Sequence, residues 1–565
     1  MSNAKDFAIG LRDSILQRMR RDKIRNGFAL AFVVILLLGG GLAMTGATVE
    51  PADLTIANAT EPESLDPAKV TGVPEGRVLR ALFSGLTVQA PGSSESIPDL
   101  AESWDIEDDG MTYVFHLRKE NRWSDGSPLT AADFVYSWRR LFAPETAAKY
   151  AYLLWPIVKN SKALTTGQLK DESKLGIEAP DPYTFVVHLE APTPYLIYLT
   201  AFYPSFPVHR ATIEAFPRSW SKPEHFVGSG PYSLQLRSVR DRIRVVRNEF
   251  YWDADHVTIK TVDFLPIEDF TTALNLYLTG VLDWSTDVPM HVVPQLLRRK
   301  DFKPTPRLGV YFYRINRKNR DETKRRFFGN RNVRRALYLA VDRADICARV
   351  TRAGDIPARS VVPPGLDGYH GPKLPDFDPA KARRLLASAL AELKLEKAPT
   401  FSIIYNTNDT HKGIAEVVQS NWRENLGLDV RLENMEWQSY LKTESSFDYD
   451  LTRAGWIGDY PDPNTFLDLW QTGNGNNRTG WSNSAFDALI QKASVTLDPA
   501  KRLATLAQAE RLVLDDQVVI PIYYYVTKNL VRPWLRGWKA NIQDRHNLKF
   551  LSIDEELRRK HSGVR

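Results

Sequence analysis

Alternating apolar and polar positions mark two strands most clearly. Tyr113-Val114-Phe115-His116-Leu117 and Phe185-Val186-Val187-His188-Leu189 each set an aromatic or aliphatic face against a second face, and each ends at a turn or charged signal. Leu54-Thr55-Ile56-Ala57 reads as an earlier strand. Helical spacing appears in 77–86, where Val78, Leu79, Leu82 and Phe83 share a face. Phe134, Val135, Trp138, Leu141 and Phe142 follow Thr130-Ala131-Ala132-Asp133, a helix start, and Val333, Ala336, Leu337, Ala340 and Val341 form another helical face. Asp378-Pro379 opens a further helix, with a capping Asp and a Pro in the first turn. Asp125-Gly126 marks a turn, 90–98 a Pro/Gly/Ser loop, and the charged run 317–326 a solvated loop. Gly228-Ser229-Gly230-Pro231-Tyr232 lacks the spacing that sets a serine on a strand–helix elbow, so it reads as a turn before a strand.

The stretch 453–466 breaks this regularity. Tyr449, Leu451 and Arg453 alternate against Asp450 and Thr452 as a strand would. The chain then runs through Gly455, Trp456 and Ile457 to Asp459, and Pro461 and Pro463 stop any ladder. Unpaired backbone, an aromatic wall and a fixed acid suit an extended ligand carrying an amine. A plainer reading has a strand ending in a Pro-rich turn, with Asp459 capping the next helix.

Composition bounds these readings. A chain of 565 residues is too long for one ordinary core, so two or three lobes are expected. The 14 Trp, 22 Tyr and 25 Phe suit both cores and clefts for varied ligands. Net charge is +6, but residues 1–49 hold seven Lys/Arg against three Asp, which leaves a nearly neutral body and no electrostatic case for nucleic acid. Basic residues 18–25 precede an uncharged run, 26–49, with the apolar core Phe32-Val33-Val34-Ile35-Leu36-Leu37-Leu38. About 20 apolar residues suffice to span a bilayer, and the flanking charge puts the N-terminus in the cytoplasm. The expectation is a cytoplasmic basic segment, 1–26, and a transmembrane anchor, 27–47, with a cleaved signal sequence as the rival. The remainder is then exported.

Chemistry is sparse. Cys347 is the only cysteine and sits in a helical pattern, which excludes an internal disulfide or a cysteine-cluster metal site and suggests a buried thiol. His116 and His188 occupy matching strand positions without a third ligand, so they read as half-exposed strand histidines, and neither metal nor cofactor is expected. Phosphate-binding loop, zincin and kinase signatures are missing, and an enzyme is not supported.

Longer motifs then carry a resemblance. Leu100-Ala101-Glu102-Ser103-Trp104, the segment 112–118, and Trp123-Ser124-Asp125-Gly126-Ser127-Pro128-Leu129-Thr130 through Ser137 are similar to the signature of oligopeptide- and dipeptide-binding proteins of ABC importers, extracellular solute-binding protein family 5. The likeness continues through 248–252, 405–407, 453–466, 521–526 and 531–534, covering about 53–553 in order. It implies an α/β, three-lobed, hinged periplasmic-binding-protein-like fold of type II, here preceded by the transmembrane helix. Lobe one would combine 50–83, 209–310 and 527–565, lobe two would be 84–208, and lobe three 311–526.

The same resemblance implies the site. Asp459 would pair with a peptide's α-amino group, and the main chain of Gly455, Trp456 and Ile457 would bond the peptide. Val73, within Gly72-Val73-Pro74, would oppose them, Tyr150 would contact the first ligand residues, and His411 and Arg453 would meet the carboxyl end. Glu444 departs from the pattern by standing where relatives carry an arginine, which leaves peptide length open. The implied protein is monomeric, tethered to the inner membrane with its binding domain in the periplasm or extracellular space. It captures short peptides for an ABC permease with a cytoplasmic ATPase. An oligosaccharide, haem or nickel chelate as ligand, or a tethered sensor no longer coupled to transport, is the alternative.

Overall fold

Strands from both ends of the chain meet in one mixed, 11-stranded sheet. This computed structural model describes residues 50–107, 110–155 and 157–562. The basic segment and apolar run expected at 1–47 lie outside the described residues, and no described helix is long and apolar enough to cross a membrane. Across the sheet the order is Val430–Met435, Phe401–Asn406, Leu451–Ile457, Phe302–Ile315, Val519–Val531, Trp284–Ser285, Leu54–Ala57, Thr261–Leu265, Arg242–Arg247 and Tyr232–Ser238. Ile356–Pro357 pairs beside Val519–Val531.

Two strands hold the middle. Phe302–Ile315 and Val519–Val531 run antiparallel along nearly their whole length, from Phe302 opposite Leu530 to Arg314 opposite Val519. Their register shifts between Pro306 and Val310. Prolines at 304 and 306 have no N–H to donate, so the ladder weakens there.

Separate cores flank this pair. One packs residues between Leu308 and Tyr524, with the helices Arg331–Leu339, Pro379–Leu393, Asp409–Leu426 and Pro499–Asp515 against the sheet. Another gathers Leu54, Leu82, Tyr232, Val262, Trp284 and Val531. A third lies under a separate antiparallel sheet of Ala101–Glu107, Thr112–Leu117, Thr184–His188 and Ile177–Asp181, in that order. There Phe115 faces Phe185 across the ladder, and Phe134 and Trp138 of the helix Ala131–Phe142 each lie 5.4 Å from Phe185. Asp99 ties distant segments together: its Oδ1 accepts from Tyr251 Oη at 2.7 Å, Trp252 Nε1 at 3.0 Å and Lys549 Nζ at 2.8 Å.

Local signals hold well. Thr130 and Asp133 form a reciprocal capping box, and Asp378 accepts from Lys381 N at 2.9 Å. Ser229 is buried and accepts from Ser84 N at 3.1 Å, a structural serine before the strand at Tyr232. His116 and His188 stay half-exposed beside Asp105 and Glu178. Cys347 is buried, and loss of solvent pushes its thiol up to about 12. The run 317–326 differs from expectation. Asp321 caps a helix, Glu322–Gly329, that buries Phe327 and Phe328, and Lys324 and Arg317 pair with Asp450 and Asp516. Charge outnumbers the apolar residues there, which hid the helix.

The turn after Leu451–Ile457 rests on a buried ion pair. Arg502 donates to both carboxylate oxygens of Asp462, at 2.6 and 2.9 Å, below Tyr195, which stacks on Tyr460 at 4.7 Å. Asp462→Ala strands the Arg502 charge and is expected to destabilise the protein by about 3–5 kcal/mol. Denaturant titration measures this. Replacing both partners by leucine and methionine should recover most of the loss, and a single-mutant effect under about 1 kcal/mol would show the pair to be solvated.

Candidate functional site

The strand Leu451–Ile457 is paired fully on one side only. Its antiparallel ladder with Phe302–Ile315 runs from Leu451 opposite Ile315 to Ile457 opposite Gly309. On the other side the parallel neighbour Phe401–Asn406 pairs only at Leu451 and Thr452. Backbone groups in an antiparallel strand alternate between its two edges. Asn316 N donates to Asp450 O and Gly458 N to Leu308 O, so the even-numbered residues face the paired side. The N–H and C=O of Arg453, Gly455 and Ile457 therefore face the other edge. Tyr440 Oη donates to Arg453 O, while Gly455 and Ile457 have no strand beside them. Ile457 is 39% exposed. A Cβ at Gly455 would lie 2.7 Å from Tyr525 Oη, so any larger residue there has to displace that phenol.

At the end of this edge the chain turns, and Asp459 N donates to Thr465 Oγ1 at 3.3 Å. The carboxylate caps no helix: Asn464–Leu467 begins after Pro463, without a side-chain cap. Among the described residues the Asp459 carboxylate has no hydrogen-bond or ion-pair partner. Burial pushes its pKa up to about 6, against the pull of Arg545. Arg545 instead donates to the Asp459 main-chain oxygen at 3.0 Å and lies over the Phe202 ring.

Two neighbouring cavities share Asp459. The first, about 240 Å³, brings together Val73, Tyr150, Ile457, Asp459, Arg80 and Arg545. Val73 is 43% exposed and starts the helix Val73–Leu82, with Gly72 extended before it. Tyr150 donates to Thr71 O at 3.2 Å and packs edge-on against Phe202 and Tyr203. Burial and the nearby Asp459 push its phenol up to about 12. Burial also drives Arg80 down to about 9 and Arg545 to about 10. The second cavity, about 450 Å³, adds Trp456, Tyr152, Tyr195 and Asp468.

His411 and Arg453 lie together at the far end of the strand. Arg453 sits 5.2 Å over the Tyr311 ring and donates to Asn406 Oδ1 at 3.3 Å, while its Nε is buried without a partner. The His411 ring is 5.6 Å from Tyr311, and burial plus the Arg453 charge push its imidazole down to about 3, so it is neutral at ordinary pH. Six residues of strand-like chain separate Arg453 from Asp459, roughly 20 Å at full extension. Glu444 belongs to neither end. It is buried between Arg314 and Arg478, the latter at 2.5 Å, and serves as structural charge. Sequence reasoning missed Arg80, Arg545 and Asp468, because nothing local distinguishes them from ordinary charged residues.

An acid and a basic end are thus joined by an open strand edge. Comparisons with known proteins identify the family. Residues 95–478 match the model of bacterial extracellular solute-binding proteins, family 5 (middle). The chain is 37% identical over 527 residues to the periplasmic oligopeptide-binding protein OppA of Salmonella typhimurium, covering 90% of this chain and 95% of that protein. Among solved structures it resembles the unliganded open form of the murein tripeptide-binding protein MppA, with a TM-score of 0.78 and 33% identity over 89% of this chain and 98% of that one. It also resembles Haemophilus influenzae OppA in complex with the peptide RPPGFSPFR, with a TM-score of 0.73 and 34% identity over 89% and 99% of the two chains. A family model spanning most of the chain, and a relative this similar along nearly its full length, make one statement plain: the chain belongs to the bacterial extracellular solute-binding proteins of family 5.

Proposed function

We propose that this protein captures short peptides outside the cytoplasm and presents them to an ABC permease, without chemistry on the ligand. The observation that carries the reading is the half-buried carboxylate of Asp459, without a partner among the described residues, at the end of an unpaired strand edge. An ammonium arriving there supplies the missing counter-charge, and the main chain of Gly455 and Ile457 bonds the peptide whatever its side chains. Val73 and Tyr150 close the opposite wall of the same cavity. Arg453, with neutral His411 beside it, receives the carboxylate of longer peptides. The relatives named above bind peptides, which supports this reading.

Binding acts through lobe closure. In this proposal lobe one combines 50–83, 209–310 and 527–565, with 84–208 as lobe two and 311–526 as lobe three. The separate cores support that division, although Phe202, Tyr203, Phe206 and Val208 pack with lobe one. Residues 27–47 serve as an uncleaved membrane anchor, on the strength of their sequence alone. Full-length protein should then stay with membranes through a high-salt wash. Soluble protein beginning near Thr48 would identify a cleaved signal instead.

Asp459→Asn removes one partner of a buried ion pair, a loss of about 2–5 kcal/mol, or roughly 30-fold to several thousand-fold in Kd. A free tripeptide should bind the variant that much more weakly than the wild type. Its N-acetylated form should bind wild type poorly, and Asp459→Asn should discriminate far less between the two. Calorimetric titration of both proteins with both peptides closes the double-mutant cycle. Equal wild-type affinity for free and acetylated peptide would refute the amine assignment and favour a non-peptide solute.

The pH dependence has a definite sign. Ligand requires ionised Asp459, and the free protein protonates it below about pH 6. Affinity for amine-bearing peptides should therefore fall below pH 6, by up to about tenfold per unit, with proton release on binding. Titration in two buffers of different ionisation enthalpy measures that release, and its absence at pH 5.5 would contradict the assignment.

A further inference from the structure

The larger of the two cavities carries charge that the peptide backbone does not use. Asp459 and Asp462 stand on the turn after the open strand edge, Asp468 follows the short helix Asn464–Leu467, and each has a different surrounding. Asp459 faces both cavities, and Asp462 is spent on Arg502. Asp468 lines the larger cavity, and among the described residues its carboxylate is paired with no cation. Among the described residues the cavity wall contains two aspartates and no Lys, Arg or His. Its remaining polar surface comes from neutral side chains such as Asn464, Gln471 and Gln491, and Asn474 Nδ2 donates to the Asp468 main-chain oxygen at 2.8 Å, fixing the turn. The Tyr195–Tyr460 stack and Tyr152 supply aromatic surface, which attracts cations.

We propose that this cavity is a cation-selective side-chain chamber, which takes the ammonium or guanidinium end of a lysine, ornithine or arginine side chain of the bound peptide, with Asp468 as counter-ion. The inference rests on the peptide reading and narrows it to a class of sequence. Burial, with Asp459 and Asp462 nearby, pushes the Asp468 carboxyl up to about 7, against the pull of Leu469 N, as befits an acid awaiting a cation. At about 450 Å³ the cavity has room for a long side chain. Successive side chains of an extended peptide point to opposite sides, so a chamber on one side accepts only alternate residues. Selection therefore depends on where the basic residue stands as well as on its presence.

The test is calorimetric titration of ligand-stripped full-length protein with trialanine and with analogues carrying lysine, norleucine or glutamate at each position in turn. Lysine at one position, or at positions of one parity, should bind about 10-fold or more tighter than norleucine there, and glutamate should bind weakest. Asp468→Asn should abolish the lysine advantage, read as the ratio of lysine to norleucine affinity within each protein. If lysine and norleucine peptides bind wild type within about threefold at every position, the chamber is not cation-selective and peptide binding itself still stands. A lysine advantage that survives Asp468→Asn overturns the assignment of the counter-ion. Failure of every peptide to bind wild type overturns both this inference and the reading beneath it. The wild-type series decides the matter even if the variant folds poorly.

Discussion

Everything in this fold depends on two strands crossing the middle of one sheet. Phe302–Ile315 and Val519–Val531 pair with each other, and each also pairs with another strand along part of its length. Leu530 and Val531 join Ser285 and Trp284, whereas Tyr311 and its neighbours join Gly455 and the rest of the open-edged strand. The ladder between them loses register between Pro306 and Val310, and Arg307 and Leu308 of that interval line the smaller cavity. Packed cores resist continuous deformation, while an interrupted two-strand ladder twists more easily. The same line places the open edge beside the cavity.

The cleft is electrostatically incomplete. Asp459 and Asp468 are half-buried without a cationic partner among the described residues, and loss of solvent raises their carboxyls to about 6 and 7. Glu510 rises to about 7 as well, but it is satisfied by Tyr369 Oη at 2.6 Å and by the backbone N–H groups of Val361 and Val362. Equal shifts thus mark opposite situations, one acid served by the fold and two acids left waiting. In each case the folded chain holds the proton more tightly than the unfolded chain. The stability so gained is complete below about pH 4 and is lost as pH rises through the folded values near 6 and 7. Near neutrality ionising these two carboxyls therefore costs more in the folded chain than in the unfolded one, and a neighbouring cation would lower that cost.

Much of this was legible locally. The Thr130–Asp133 capping box spans three residues, and the strands at 113–117 and 184–188 declare themselves by alternation. The stretch 453–466 stood out because glycine, tryptophan, an acid and two prolines follow a strand pattern. Convergence was not legible. Arg545 reaches the carbonyl of Asp459 from 86 residues away, and Arg80 enters the same cavity from the far end of the chain. Asp468 looked like any acid in a turn until the cavity wall around it proved to contain no cation. Charge density alone concealed the helix Glu322–Gly329, whose two phenylalanines sit at its end.

The Asp99 junction bears on the order in which the molecule is made. Lys549 must arrive before Asp99, Tyr251 and Trp252 share their full set of bonds, and Leu54–Ala57 gains its neighbours only from 261–265 and 284–285. Contacts this distant in sequence form slowly, because a long loop must close before any of them is rewarded. A nascent chain of this kind stays open until its last segments emerge. Threading through a membrane channel would demand an open chain, and the long-range contacts that build the cleft would keep an exported chain of this fold open for longest.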